Sequence, residues 1–247
     1  MNLSWAIVIA GAYLLGSIPF GVLIGRARGV NILAEGSRNP GASNVTRLLG
    51  KPLGIFCFFL DMAKGAIPVI TAGAMFDLLG DRPASLDPAV AVLTPTEMWL
   101  WLAVACAAVL GHMRSPWLGF RGGKGVATGF GSMVVMWEVL TIPALAAVLV
   151  WYAVLRTTRY VSVSSIAAVI SLPVGYLLSV LPRDALEQPL SVSIEQIRIA
   201  GPPLAVTAAM AALITYLHRE NIARIRRGEE PKVRGKARRG DLGSGPE

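Results

Sequence analysis

Leu3-Ser-Trp-Ala-Ile-Val-Ile-Ala-Gly-Ala-Tyr-Leu-Leu-Gly-Ser-Ile-Pro-Phe-Gly-Val-Leu-Ile-Gly25 carries no charged side chain. A hydrocarbon layer about 30 Å thick is crossed by roughly 20 apolar residues in a helix, and this stretch supplies them. It has no basic leader and is too long for the apolar core of a secretion signal, so it reads as a retained transmembrane helix. Six further apolar segments follow, at about 53–76, 98–112, 125–137, 139–155, 160–181 and 198–217. The segment at 125–137 gives the weakest signal. It also fits a half-length helix that begins inside the bundle, which is permitted where protein covers the broken end. Composition agrees: 54% of the 247 residues are hydrophobic and 15% charged, where a soluble domain carries about a quarter charged. The expected fold is all-α, a polytopic integral membrane protein of about seven transmembrane helices.

The charges between these segments orient them, because cytoplasmic loops are enriched in Lys and Arg. The first connection carries Arg26, Arg28, Arg38, Arg47 and Lys51, and the second only Arg82 against Asp77, Asp81, Asp87 and Glu97. The third has Arg114, Arg121 and Lys124, the fourth only Glu138, and the fifth Arg156 and Arg159. The sixth offsets Arg183 and Arg198 with Asp184, Glu187 and Glu195, and nine basic residues follow from Arg219. Alternation at every step predicts the N-terminus outside and the C-terminus in the cytoplasm. The net charge of +8 is therefore read as topological, and nucleic acid is not expected as a partner. One domain over 1–230 is expected, with a basic, disordered tail over 231–247 that anionic lipid attracts at about 1 kcal/mol per basic residue. Cys57 and Cys106 lie within apolar stretches and read as small buried hydrophobes, with neither disulfide nor metal spacing. No cofactor is implied.

Three polar clusters fall on the predicted cytoplasmic side. The first, Glu35-Gly-Ser-Arg-Asn-Pro-Gly-Ala-Ser-Asn-Val-Thr-Arg47, combines turn formers with hydroxyls, amides and an arginine fork. Asn44 and Arg47 are spaced for one helical turn. The second is Gly119-Phe-Arg-Gly-Gly-Lys-Gly-Val-Ala-Thr-Gly129, preceded by Gly111-His-Met-Arg-Ser-Pro116. Its glycines can expose backbone N–H groups to an anion, and Lys124 adds a positive charge. Only three residues separate Gly119 from Gly123, and Gly125 stands where a Walker loop needs Ser or Thr, so phosphate binding fits and NTP hydrolysis does not. The third is His218-Arg-Glu-Asn-Ile222, where His218 and Asn221 share a helix face. Loop punctuation, a flexible turn and an interfacial histidine are the plainer readings of the three. Asp61 and Lys64, at helical spacing within an apolar segment, either pair or line a polar cavity. Arg159-Tyr-Val-Ser-Val-Ser-Ser165 opens the sixth segment, where its serines serve as helix caps or phosphate contacts.

These motifs together resemble the acyl-phosphate:glycerol-3-phosphate acyltransferases of the PlsY type. The likeness is carried by Gly36-Ser-Arg-Asn-Pro-Gly-Ala-Ser-Asn44 with Arg47, by Gly111-His112 with Phe120-Arg-Gly-Gly-Lys-Gly-Val-Ala-Thr128, and by His218-Arg-Glu-Asn-Ile222, within a stretch from Gly16-Ser-Ile-Pro19 to about Gly228. It implies a seven-helix bacterial inner-membrane enzyme. Acyl phosphate and glycerol 3-phosphate would be its substrates, lysophosphatidic acid and phosphate its products, with no direct use of coenzyme A or acyl carrier protein. The expected catalytic set is His218, Asn221, Ser37 and Arg47. The expected substrate-binding set is Lys124, Gly122, Gly123, Gly125, Ser43, Asn44 and Ser165. Two residues depart from the family pattern, which usually has glycine where Arg38 stands and often threonine where Ser43 stands, and Ser43 keeps the hydroxyl. A transporter for a phosphorylated metabolite is the rival class, and a non-catalytic lipid-binding protein a second. A transporter places its site near the midplane between repeated halves, and no repeat is visible here.

Overall fold

Pro19 breaks the first apolar stretch, since proline lacks an N–H and its ring clashes with the preceding helical turn. The computed structural model describes residues 3–80, 93–137, 139–180 and 190–233, the side chains of 190–200 excepted. In it, α1 (Leu3–Gly16) stops before the proline and α2 (Phe20–Ala27) resumes after it. An unmet backbone carbonyl in an apolar layer costs several kcal/mol. Two carbonyls at the break find side chains instead: Ser115 Oγ donates to the Ser17 carbonyl at 2.6 Å and Lys64 Nζ to the Ile18 carbonyl at 2.8 Å.

The remaining helices are α3 (Ala42–Leu49), α4 (Lys51–Met75), α5 (Pro95–Met113), α6 (Val126–Val134), α7 (Thr141–Thr158), α8 (Val161–Val180), α9 (Leu190–Leu217) and α10 (Arg219–Arg226). Among the described residues there is no strand, only an isolated antiparallel bridge between Ser115 and Arg121. Five segments are long and apolar enough to cross a membrane: Leu3–Ala27, α4, α5, α7 and α8. The apolar part of α9 is shorter, Gly201–Leu217. At nine residues, α6 is about 13 Å long. Of the two readings of 125–137, the half-length helix is the one observed.

Helix packing sets the position of that short helix. Gly65 of α4 faces the Thr128 carbonyl, and Gly131 of α6 faces the Met62 carbonyl, each so closely that a Cβ would overlap backbone. Small residues permit such contact between helices in lipid, where no hydrophobic effect drives them together. Helix α1 meets α5 in the same way, through Gly16 against the Ala108 carbonyl and Gly111 against that of Tyr13. Trp101 and Tyr176 fill the buried centre, and Trp101 Nε1 donates to the Val69 carbonyl at 2.9 Å. Large apolar side chains face outward, with Ile142, Leu149 and Leu178 each 70% exposed, as lipid contact requires.

The connection 77–97 and the acidic one after α8 lie largely outside the described residues, as does Glu138. The tail expected over 231–247 is described only to Val233. Its first residues are held, the Val233 N–H donating to the Arg159 carbonyl at 2.9 Å and the Lys232 ammonium lying 5.2 Å from the Tyr160 ring.

Candidate active site

The glycine–lysine loop begins as a tight reversal. Ser115 N–H donates to the Arg121 carbonyl at 3.3 Å, around a single 3₁₀ turn at Pro116–Leu118. The chain then folds over the end of α5, where the Gly123 N–H donates to the His112 carbonyl at 3.0 Å. A Cβ at Gly123 would overlap the Nε2 edge of His112, and one at Gly122 its carbonyl, so glycine is a steric requirement at both. Gly125, in the left-handed region at φ 79°, caps the start of α6. The first N–H groups of a helix lack intrahelical partners, which makes this end suited to an anion. Lys124, beside it, bonds the Asn221 side-chain oxygen. Burial pushes its ammonium down to about 8, against the pull of the Glu230 carboxylate.

The end of α9 supplies the other wall. His218 interrupts the helix and is the residue before α10. Its Nδ1 lies 2.8 Å from the Ile214 carbonyl, which can only accept, so Nδ1 carries the proton and Nε2 is left as an acceptor. Burial, reinforced by the Lys124 charge, pushes His218 down to about 4 and leaves it neutral near pH 7. Asn221, one turn on, donates through Nδ2 to Glu230 Oε1 at 2.6 Å. Glu230 also accepts from Ser162 Oγ at 2.9 Å and Arg224 Nε at 2.8 Å. Burial alone would raise its carboxyl, but these donors hold it below the ordinary range. The acid thus ties the start of α8, α10 and the C-terminal segment together, and its grip on Nδ2 turns Asn221 Oδ1 toward Lys124.

The first cluster folds around Asn44, which is buried at the start of α3. Asn44 Oδ1 accepts from the Ser37 N–H at 2.8 Å and Arg47 Nη1 at 3.3 Å, while Nδ2 donates to the Ile32 and Glu35 carbonyls at 3.0 and 3.1 Å. Its amide is fully engaged in holding the loop, which leaves no capacity for the substrate contact expected of it. Arg47 does share the turn with Asn44 as its spacing implies, and the side chains of Arg47 and Ser43 stay exposed. Arg38 occupies the left-handed region at φ 56°, a conformation that favours glycine.

The expected residues thus form two groups. Lys124, Gly122, Gly123, Gly125, His218 and Asn221 meet around the glycine–lysine loop. Ser37, Ser43, Asn44 and Arg47 share the first loop, and among the described residues no hydrogen bond joins it to the other group. Ser165 accepts from Trp151 Nε1 at 3.4 Å, and among the described residues no hydrogen bond joins it to either group. The serine that reaches the network is Ser162, three residues earlier. Glu230 was also missed, because an acid bordering a basic tail reads as solvated; its signal was the turn punctuation Gly228-Glu-Glu-Pro231.

Comparison with known proteins sharpens what this site is for. The family description of glycerol-3-phosphate acyltransferases matches residues 6–228. A glycerol-3-phosphate acyltransferase of Anaeromyxobacter dehalogenans is 41% identical over 94% of this chain and 98% of its own, and one from Aquifex aeolicus is 38% identical over 89% and 94%. Crystal structures of PlsY, described as an integral membrane glycerol 3-phosphate acyltransferase, superpose with TM-scores of 0.71 for the glycerol 3-phosphate form and 0.70 for the lysophosphatidic acid form. Both are 35% identical and cover 94% of this chain and 96% of theirs. The chain belongs to the PlsY-type glycerol-3-phosphate acyltransferase family, and is a multi-pass bacterial membrane enzyme of phospholipid biosynthesis.

Proposed function

We propose that the protein transfers a fatty acyl group from acyl phosphate to the 1-hydroxyl of glycerol 3-phosphate, giving 1-acylglycerol 3-phosphate and phosphate. The observation that carries this reading is the junction of Lys124, Asn221 and a neutral His218 at the N-terminus of α6. It sets a cation and open backbone donors for a phosphate beside an uncharged acceptor for a hydroxyl. Lys124 and the backbone around Gly122, Gly123 and Gly125 hold a substrate phosphate. Arg47, whose rigid fork suits two phosphate oxygens, comes from the first loop with Ser37 and Ser43. Asn44 serves by aiming Arg47.

In the chemical step, the hydroxyl oxygen bonds to the acyl carbon, the bond from that carbon to the phosphate oxygen breaks, and the phosphate leaves. His218 Nε2 accepts the hydroxyl's hydrogen bond and orients it. A group held at about 4 is a weaker base than a phosphate, whose second pKa is about 6, so the proton ends on the departing phosphate. Acyl phosphate is already activated, and the enzyme supplies mainly position and electrostatics.

The chain crosses the bilayer seven times in this reading, with α6 completing the fourth crossing. The N-terminus lies outside and the site opens on the cytoplasmic face, as the basic loops require.

The purified protein, given acyl phosphate and labelled glycerol 3-phosphate, is expected to form lysophosphatidic acid and phosphate in equal amounts. His218→Ala should lower kcat by about a hundredfold. Product formed only from acyl-coenzyme A would overturn the donor. Counterflow of glycerol phosphate in liposomes without any product would favour transport instead.

A further inference from the structure

Beneath the glycine–lysine loop lies a second group of ionisable residues that the acyl transfer does not use. Lys64 Nζ is 2.9 Å from Asp61 Oδ1 within α4, and each residue is 2% exposed. The same ammonium donates to the Ile18 carbonyl at the break between α1 and α2. Asp61 Oδ1 also faces His112 Nδ1 at 3.6 Å. That nitrogen is buried without a hydrogen-bond partner, and His112 is 8% exposed. The opposite edge of the imidazole touches Gly123, and the His112 carbonyl takes the Gly123 N–H. One chain of contacts therefore runs from the broken first helix, through the ion pair in α4, to the backbone of the loop.

We propose that Asp61, Lys64 and His112 form a positioning unit for the phosphate-binding loop. The ion pair fixes the imidazole, and the imidazole fixes the Gly122–Gly123 backbone that leads into Lys124 and the N-terminus of α6. The geometry explains why charges sit inside an apolar helix at all: ionisable groups in a span face protein and meet one another. Lys64 answers both the Asp61 carboxylate and the Ile18 carbonyl, and the charges of the Asp61–Lys64 pair cancel. Hydroxyl and carbonyl groups of Ser17 and Ser115 close its other side, with Ser115 Oγ on the Ser17 carbonyl at 2.6 Å. These residues touch no substrate themselves and act through the loop. The proposal rests on the reading that the loop holds a substrate phosphate.

Two variants test it: Asp61→Asn with Lys64→Met, which removes both charges and keeps most of the volume, and His112→Phe, which keeps the ion pair and the ring. Each is compared with wild type for kcat, for KM of both substrates, and for hydrogen exchange of the segment 119–125, after thermal melting in detergent has established that it is folded. The expected result is a KM at least tenfold higher for one phosphate substrate, faster exchange in 119–125, and kcat within threefold. A merely structural role would lower the active fraction, hence kcat, and leave KM in place. Folded variants with both KM values within twofold of wild type and unchanged exchange would overturn the proposal. If the double variant does not fold, the same readouts on His112→Phe alone decide between these outcomes. Lys124→Ala, measured alongside, separates the two ideas: unchanged KM values there refute phosphate binding by the loop, while the exchange arm still decides the positioning.

Discussion

Arg38 and Lys124 illustrate how single residues depart from their ordinary state here. Arg38 holds φ 56°, where a side chain costs about 1 kcal/mol or more relative to glycine. Arg38→Gly should therefore stabilise the protein by about 1 kcal/mol, visible as a melting temperature about 2–4 °C higher in detergent. An unchanged or lower melting point would mean that the arginine makes up the strain elsewhere. Lys124 has the opposite character, a cation weakened by burial to about 8. Above that pH it loses its charge, so substrate affinity should fall, and KM should rise toward tenfold per pH unit. Lys124→Arg keeps its charge throughout and should remove this alkaline limb. His218, at about 4, stays neutral far below pH 7, so no acid limb should appear between pH 5 and 7 from this group. A pH series of KM and kcat checks all three statements.

Among the elements, the long helices were the most legible in the sequence and the site contacts the least. Apolar runs near 53–76, 98–112 and 160–181 correspond closely to α4, α5 and α8, because bilayer thickness imposes a length that composition alone reveals. The pairing of Asp61 with Lys64 could be anticipated from helical spacing, and the Asn44–Arg47 turn likewise. The stop at Ser17–Pro19 had its signal in Pro19, but the partners that make it tolerable, Lys64 and Ser115, are distant in sequence. Ser162 and Ser165 share a face of α8, and the choice between them depends on the height at which the C-terminal segment crosses it, a tertiary fact that no local pattern encodes. Glu230 belongs to the same class of long-range contact. Its carboxylate accepts from three side chains, and Glu230→Ala would leave Asn221, Arg224 and Ser162 without that acceptor. A loss of about 3 kcal/mol in stability is expected from such a buried charged acceptor. Glu230→Gln should retain more of both fold and turnover, and comparison of melting and kcat in the two variants tests the order.

At the scale of the whole molecule, charge alternation predicts where each loop emerges. Single cysteines in a Cys57→Ala, Cys106→Ala background would report it in sealed, oriented vesicles. A cysteine at Ser37 or Arg121 should react with an impermeant thiol reagent only from the cytoplasmic side, and one at Asp87 only from outside; the reverse pattern would overturn the seven-crossing orientation. The fold also joins the two ends of the chain: the glycine–lysine loop rests on helices from the first half, while His218 and Asn221 come from the last. The contact of Val233 with Arg159 closes this arrangement, just after Glu230. For anyone labelling the enzyme, that closure sets the splice point. A fluorescent reporter fused directly after Gly228 would displace Glu230 from Ser162 and Asn221 and silence turnover, whereas the same reporter carried beyond Val233 leaves the lock shut.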